Sequence, residues 1–269
     1  MGVSAANAVR KLIGFVGIAG DGMFRIQGQY RYLSCALLIA ALVALSALAE
    51  EPKSDQRDGE RVLAIDVLLL PDAKMEAAAN DVNAKLRENY PAGYILGPDQ
   101  AAHITLVHRY VREKDLPAIE KAVAKVAAAD KPLEWTLTAT RLENGIWAGV
   151  AITTIAVTPT RALSRLQLAV VKAVEPFAVT GGTAAAFSKS KELPKIDREI
   201  VDYVENFVRN SSGAKFNPHV TVGVAHEDFV KKLEAAPFES FTFRPSGVAI
   251  YQLGNFGTAQ KKLWEWKAE

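Results

Sequence analysis

Two short segments of this chain repeat one another in kind. His103-Ile104-Thr105-Leu106 and His219-Val220-Thr221-Val222 both read His, apolar, Thr, apolar, and they start 116 positions apart. The chain holds four histidines (His103, His108, His219, His226), and threonine takes 13 of 269 positions, so two histidines of four sharing this pattern is not a chance expectation. In a strand, residues i and i+2 point to one face. Each motif therefore sets an imidazole beside a hydroxyl and turns its apolar residues toward a core. A fold that uses both motifs together must bring two distant strands to a common face.

The surrounding elements predict two similar parts. Val62 to Leu70 (VLAIDVLLL) reads as a buried strand. Asp72 caps a helix to about Asn89, with Ala77, Ala78, Val82 and Leu86 at helical spacing. A strand at His103–Val111, a helix at Asp115–Ala129 and strands at Leu133–Leu142 and Trp147–Val157 follow, with Glu143-Asn144-Gly145 as a tight turn between the last two. Thr160–Phe177 is an amphipathic helix. The second motif opens the same order: strand His219–Ala225, helix Asp228–Ala235, then strands at Phe241–Phe243, Val248–Leu253 and Lys262–Trp266. The fold class expected is α+β, with two pseudo-symmetric lobes, each an antiparallel sheet with helices on its outer face, and a groove between them.

The first 49 residues read differently. Residues 33 to 49 (LSCALLIAALVALSALA) carry no charge and follow Arg25 and Arg31. A basic flank, an apolar run and the small-residue end Ala47-Leu48-Ala49 form the pattern of an export signal starting near Met23 and cut before Glu50. The alternative is an uncleaved membrane anchor at residues 33 to 49, since 17 apolar residues sit at the short limit for a span. The expected domains are residues 1–49 as extension and leader, 50–61 as a flexible lead-in and 62–269 as the bilobal unit. Four of the 32 Lys+Arg (Arg10, Lys11, Arg25, Arg31) and one of the 30 Asp+Glu (Asp21) lie before Glu50, leaving 28 basic against 29 acidic side chains. A body so balanced has no broad electrostatic footprint for a nucleic-acid polymer. Cys35 is the chain's one cysteine, so the body has no thiol chemistry, as suits an oxidising compartment. The export signal predicts a secreted or periplasmic protein.

Two His/Thr pairs across a groove suit a phosphate centre. Imidazole titrates near pH 6.5, so one ring can be neutral and its partner protonated near pH 7. The neutral ring takes a proton from an attacking hydroxyl, the charged ring gives one to the leaving oxygen, and threonine hydroxyls hydrogen-bond the phosphate oxygens. The motifs supply neither carboxylate nor thiolate, so they predict no metal and no cofactor.

Paired His-apolar-Thr-apolar motifs, one per lobe, resemble the two-histidine phosphoesterase superfamily, which includes 2'-5' RNA ligase-like proteins and cyclic nucleotide phosphodiesterases. The resemblance covers about residues 60 to 269, including YILGPDQAAHITL and FNPHVTV. It implies a bilobal fold and metal-independent hydrolysis of a 2',3'-cyclic or 2'-5'-linked nucleotide. It implies His103 and His219 as catalytic residues, with Thr105 and Thr221 on the phosphate. Simple alternation puts Arg109 on the face of His103 and Thr105, where it would bind phosphate, and Gly223 and Ala225 at matching places in the second half. The same alternation sends His108 to the opposite face. Phe216 and Tyr251 are candidates for stacking on a base, and Trp264 and Trp266 read as packing residues. His226 reads as a solvated neighbour of a helix cap. Residues 178 to 216, with Thr180-Gly181-Gly182-Thr183 and a helix near Arg198–Val208, are an insertion able to form a lid or substrate-selecting element.

The partner expected is a small nucleotide bound as substrate by a monomer, with RNA ends as the second choice and a membrane only if the leader is uncut. RNA 2'-5' ligation is the alternative chemistry, being the same displacement reversed. A non-catalytic nucleotide- or RNA-binding module is the alternative of another class.

Overall fold

A computed structural model describes residues 61–147, 149–191 and 193–267. The expected leader, and the lead-in up to residue 60, lie outside the described residues. Strands β1 (Val62–Pro71), β2 (Ile104–Arg112), β3 (Leu137–Trp147), β4 (Val150–Val157), β5 (Ala178–Val179), β6 (His219–Ala225), β7 (Phe241–Phe243), β8 (Pro245–Leu253) and β9 (Ala259–Trp266) alternate with helices α1 (Ala73–Asn89), α2 (Leu116–Asp130), α3 (Arg161–Val174), α4 (Arg198–Ser211) and α5 (Glu227–Glu234).

The strands run in the order β7-β3-β4-β6-β2-β1-β8-β9, with β5 paired to β2 outside that path. Every pairing is antiparallel. Between β6 and β2 the register consists of Ile104 with Val220. The sheet is thus two four-stranded halves, β7-β3-β4-β6 and β2-β1-β8-β9, meeting at the two motifs. The halves of the sheet are not the halves of the chain: β3 and β4 leave the β2 half to pair with β6 and β7, and β8 and β9 return to β1. Alternating apolar patterns show which segments are strands, but long-range burial decides their partners.

Local chemistry sets the helix ends. Asp72 Oδ1 accepts from the Met75 amide at 3.1 Å and its Oδ2 from the Arg244 amide at 2.8 Å, so one side chain caps α1 and ties it to the start of β8. Thr160 caps α3 by accepting from the Leu163 amide. In α4, Ile200, Val204 and Phe207 form the buried stripe. Between α2 and β3, Pro132–Glu134 forms a short 3-10 turn, so β3 starts at Leu137, later than expected. It also runs straight through Glu143-Asn144-Gly145, which pair with Thr154, Thr153 and Ile152. The hairpin turns instead at Gly149, whose φ is 80°. The expected turn at Glu143 is overturned because strand pairing continues for another two residues.

Each motif strand carries a β-bulge. In β2 the register slips between Val67 and Leu68, leaving Leu106 without a partner; in β6 it slips between Thr153 and Thr154, leaving Val222 so. The two sit at the same place, three residues after the histidine. Each frees a carbonyl from the ladder, and each carbonyl takes a buried amide. Gln167 Nε2 of α3 donates to Leu106 O at 3.1 Å while its Oε1 accepts from the Gly213 amide. Asn83 Nδ2 of α1 donates to Val222 O at 2.8 Å while its Oδ1 accepts from the Leu96 amide. Each helix therefore ties the bulge of one motif to the loop leading into the other.

These two amides are expected to hold the joint rigid. Gln167→Met and Asn83→Leu keep the volume but orphan a buried carbonyl, which costs about 1–3 kcal/mol. Denaturant unfolding should show losses in that range. A change below experimental error in both would show that the amides are incidental.

Candidate active site

The Ile104–Val220 pair sets the frame of the site. Its antiparallel register places His103 across from Thr221 and Thr105 across from His219. All four side chains line one groove, a cavity of about 310 Å³. The two rings are oriented alike: His103 Nδ1 lies 2.7 Å from Ala101 O, and His219 Nδ1 lies 2.7 Å from Asn217 O, each two residues back. A carbonyl only accepts, so both Nδ1 atoms carry hydrogen, and Nε2 is the nitrogen of each ring not engaged by its own strand's backbone.

Beyond the motifs the bulge overturns the simple alternation. The extra residue at Leu106 moves the rest of β2 over by one face. His108 comes to the side of His103 and Thr105, where it is 3% exposed and also lines the groove. Arg109 goes to the other side and pairs with Glu175 at the end of α3, outside the groove. The expected places of both residues are therefore corrected, and Arg109 is no phosphate clamp. In β6 the same shift turns Gly223 toward α1. Its φ is 150°, and a Cβ there would meet Leu86 Cδ1 at 2.9 Å, so glycine lets helix and bulge approach.

The carboxylate at the centre is Asp66 of β1, paired with His108 and fully buried. Its Oδ2 lies 3.1 Å from His103 Nε2 and 3.2 Å from His108 Nε2, and it accepts from Thr105 Oγ1 at 2.9 Å. Burial by itself favours the neutral acid, but the charge of His108 and the hydrogen bonds from His103 and His108 prevail, holding Asp66 below the usual carboxylate range. Burial likewise disfavours charge on His103. The hydrogen bond and charge of Asp66, with the bond to Ala101 O, outweigh it and raise that ring's pKa. For His219 burial wins: its pKa is lowered despite the bond to Asn217 O, with the positive His103 adding to the effect and Glu143 opposing it.

The two halves thus differ in charge. By register, the second-half counterparts of Asp66 and His108 are Ile152 and Val224. Asp66 itself was missed at the sequence level. A lone carboxylate inside an apolar strand such as VLAIDVLLL was the available signal, because a buried charge needs partners.

The walls come from three places. Glu143, Asn144, Gly145 and Trp147 of β3 form one side, Phe216, Asn217 and Phe256 the loops, and Ile200, Tyr203 and Phe207 of α4 the cover. Aromatic contacts join them: Trp147 meets Tyr203 edge-on with ring centres 5.1 Å apart, and Phe207 lies 4.7 Å from His108. The 178–216 insertion thus contributes through α4. Phe216 lies in the groove as expected, but Tyr251 does not. It is 2% exposed, packed with Leu68 and Leu70, so base stacking by Tyr251 is overturned. His226 caps α5 at the surface, and Trp264 and Trp266 pack half-buried against the core. Among the described residues no grouping of three His, Cys, Asp or Glu is placed to hold a metal ion.

A family model described as the 2'-5' RNA ligase superfamily matches residues 73–255. Similar solved structures include TT0787 of Thermus thermophilus, at 17% identity and TM-score 0.47 over 76% of this chain and 97% of that one. Escherichia coli LigT in apo form is 14% identical, with TM-score 0.40 over 77% of this chain and 98% of LigT. LigT complexed with 3'-AMP is 15% identical, with TM-score 0.42 over 77% and 98%. No curated protein matches the sequence.

The Asp66–His103 pair predicts a pH-dependent contribution to stability. Asp66 is depressed, so its share appears above the unfolded carboxylate value and fades as pH falls through the folded one; His103 is raised, so its share is complete below about pH 6.5 and fades as pH rises through the folded value. Asp66→Asn should cost about 3 kcal/mol between roughly pH 4 and 6.5, and less on either side. Unfolding midpoints of both proteins across pH check this; a difference independent of pH would contradict it.

Proposed function

The chain belongs to the 2'-5' RNA ligase superfamily, and from its groove we propose a metal-independent phosphodiesterase that hydrolyses a small 2',3'-cyclic or 2'-5'-linked nucleotide. One observation carries the reading: the two His/Thr pairs face each other across the Ile104–Val220 joint, each imidazole opposite the other motif's hydroxyl. A phosphate seated there meets a ring on either side. One ring takes a proton from water and the other gives one to the leaving ribose oxygen. Proton transfer from such positioned groups supplies roughly a hundredfold to ten-thousandfold each. Thr221 stands ready to donate to a non-bridging oxygen as charge develops.

The walls support a small substrate. Among the described residues lining the groove, Lys215 is the one Lys or Arg, and Glu143 brings a carboxylate. A polyphosphate or long RNA backbone would find little to hold it, whereas one monoanionic diester matches two rings and the Thr221 hydroxyl. The aromatic sides from Trp147, Tyr203, Phe207 and Phe216 suit a base or another flat apolar group. RNA ligation remains the reverse of the same displacement, but it needs a docked pair of RNA ends that this groove is poorly charged to hold. Export belongs to the same proposal, resting on residues 23 to 49 alone, with a retained anchor at 33 to 49 as the alternative.

His103→Ala and His219→Ala should each lower kcat/KM toward 2',3'-cyclic nucleotides by roughly a hundredfold or more, and EDTA should leave the rate unchanged. Activity equal to the unmutated protein in both variants would sink the assignment, and loss with EDTA would sink its metal-free part. After expression of the full chain with an intact export system, terminal sequencing should find Glu50 first; a retained Met1 or Met23 would favour the anchor.

A further inference from the structure

The motifs are symmetric, but the groups behind them are not. His103 has hydrogen-bond acceptors against both ring nitrogens, Ala101 O at Nδ1 and Asp66 Oδ2 at Nε2. Neither acceptor has a proton to give while Asp66 is ionised, so the ring satisfies both only by carrying two hydrogens. Among the described residues His219 has a hydrogen-bond acceptor at Nδ1 alone; Glu143 lines the same groove but makes no hydrogen bond to its Nε2. Thr105 spends its hydroxyl hydrogen on Asp66, while Thr221 makes no such bond among the described residues.

We propose that Asp66 is the positioning residue that polarises the site, fixing His103 as the imidazolium acid and leaving His219 as the base. This rests on the phosphodiesterase reading of the groove. Water attacks phosphorus and gives a proton to His219 Nε2. The bond from phosphorus to the ribose oxygen breaks, and that oxygen takes the Nε2 proton of His103. The product is a phosphate monoester with a free ribose hydroxyl; proton exchange with solvent then resets both rings.

His108 has a part in this step. When His103 gives up its proton, Oδ2 loses one donor, but His108 Nε2 and Thr105 Oγ1 still point at it. Oδ2 of the buried carboxylate thus keeps two donors, and its charge draws a proton back onto His103. His108 is held for this by Phe207 and Tyr203, with ring centres at 4.7 and 5.7 Å. The titratable groups facing His103 are therefore Asp66 from β1, His108 from its own strand, His219 from β6, Tyr203 from α4 and, across the groove, Glu143 from β3 with Lys215 at the rim.

The test reads the rings directly and then the reaction. Long-range proton–nitrogen NMR on the unmutated protein should show His103 doubly protonated to a higher pH than His219. In Asp66→Asn the His103 transition should fall by about one pH unit or more, a tenfold change in its ionisation constant, and the alkaline limb of kcat/KM should move down with it. With a nitrophenyl phosphodiester, whose leaving group needs no proton, His103→Ala and Asp66→Asn should lose at least about tenfold less than on a cyclic nucleotide, while His219→Ala loses as much on both. Inverted order of the two rings, or a His103 transition unmoved by Asp66→Asn, overturns the proposal. The ring order needs no variant, so it decides even if Asp66→Asn fails to fold. Absence of any turnover would remove the phosphodiesterase reading while leaving the ring titrations to judge Asp66; turnover with inverted ring order would do the reverse.

Discussion

One backbone pair joins the halves of this protein, and the site is counted from it. Ile104 opposite Val220 sets two motif strands antiparallel, and antiparallel strands place unlike members of two equal motifs together. Each histidine therefore faces a threonine of the other half. Parallel strands would have set ring beside ring. The arrangement depends on register alone, and a slip of one residue in either motif strand would turn that strand's ring toward the core.

So short a joint needs support from outside the ladder. The matched bulges at Leu106 and Val222 supply it by freeing carbonyls that Gln167 and Asn83 bind. Because each amide also holds the loop before the opposite motif, the four segments around the site are tied crosswise. The bulge serves a second purpose in β2. It brings His108 to the groove face beside Asp66, the carboxylate that separates the two halves. The second half keeps the bulge but has Ile152 and Val224 in place of Asp66 and His108. A symmetric scaffold thus carries an asymmetric proton arrangement, as a reaction with one attacking and one leaving oxygen requires.

The sequence made the elements and the motif residues legible because period-two alternation and helical spacing are local. His103, Thr105, His219 and Thr221 share one strand face by that pattern, and all four line one groove. The same rule failed one step later, at Arg109 and His108, since nothing in LVHRY announces an extra residue. Glu143-Asn144-Gly145 has turn composition but pairs with β4, because the neighbouring strand offers more bonds than a turn would. Tyr251 sits in a buried strand, so its ring packs with Leu68 and Leu70 away from the groove. The interleaving of the two sheet halves and the covering role of α4 rest on contacts between residues far apart in sequence, which no single segment encodes. Asp66 passed as part of a buried apolar strand, because its meaning required its neighbours.

Everything proposed for the groove requires His103 and His219 to flank a single phosphorus from opposite sides. A crystal structure with a nucleoside vanadate, a five-coordinate mimic of the displacement, is the sharpest test. One vanadium should sit in the groove, with an apical oxygen about 2.7–3.1 Å from Nε2 of each ring, the ribose oxygen toward His103 and the water-derived oxygen toward His219. Vanadate bound elsewhere, or touching one ring while the other faces away, would contradict it.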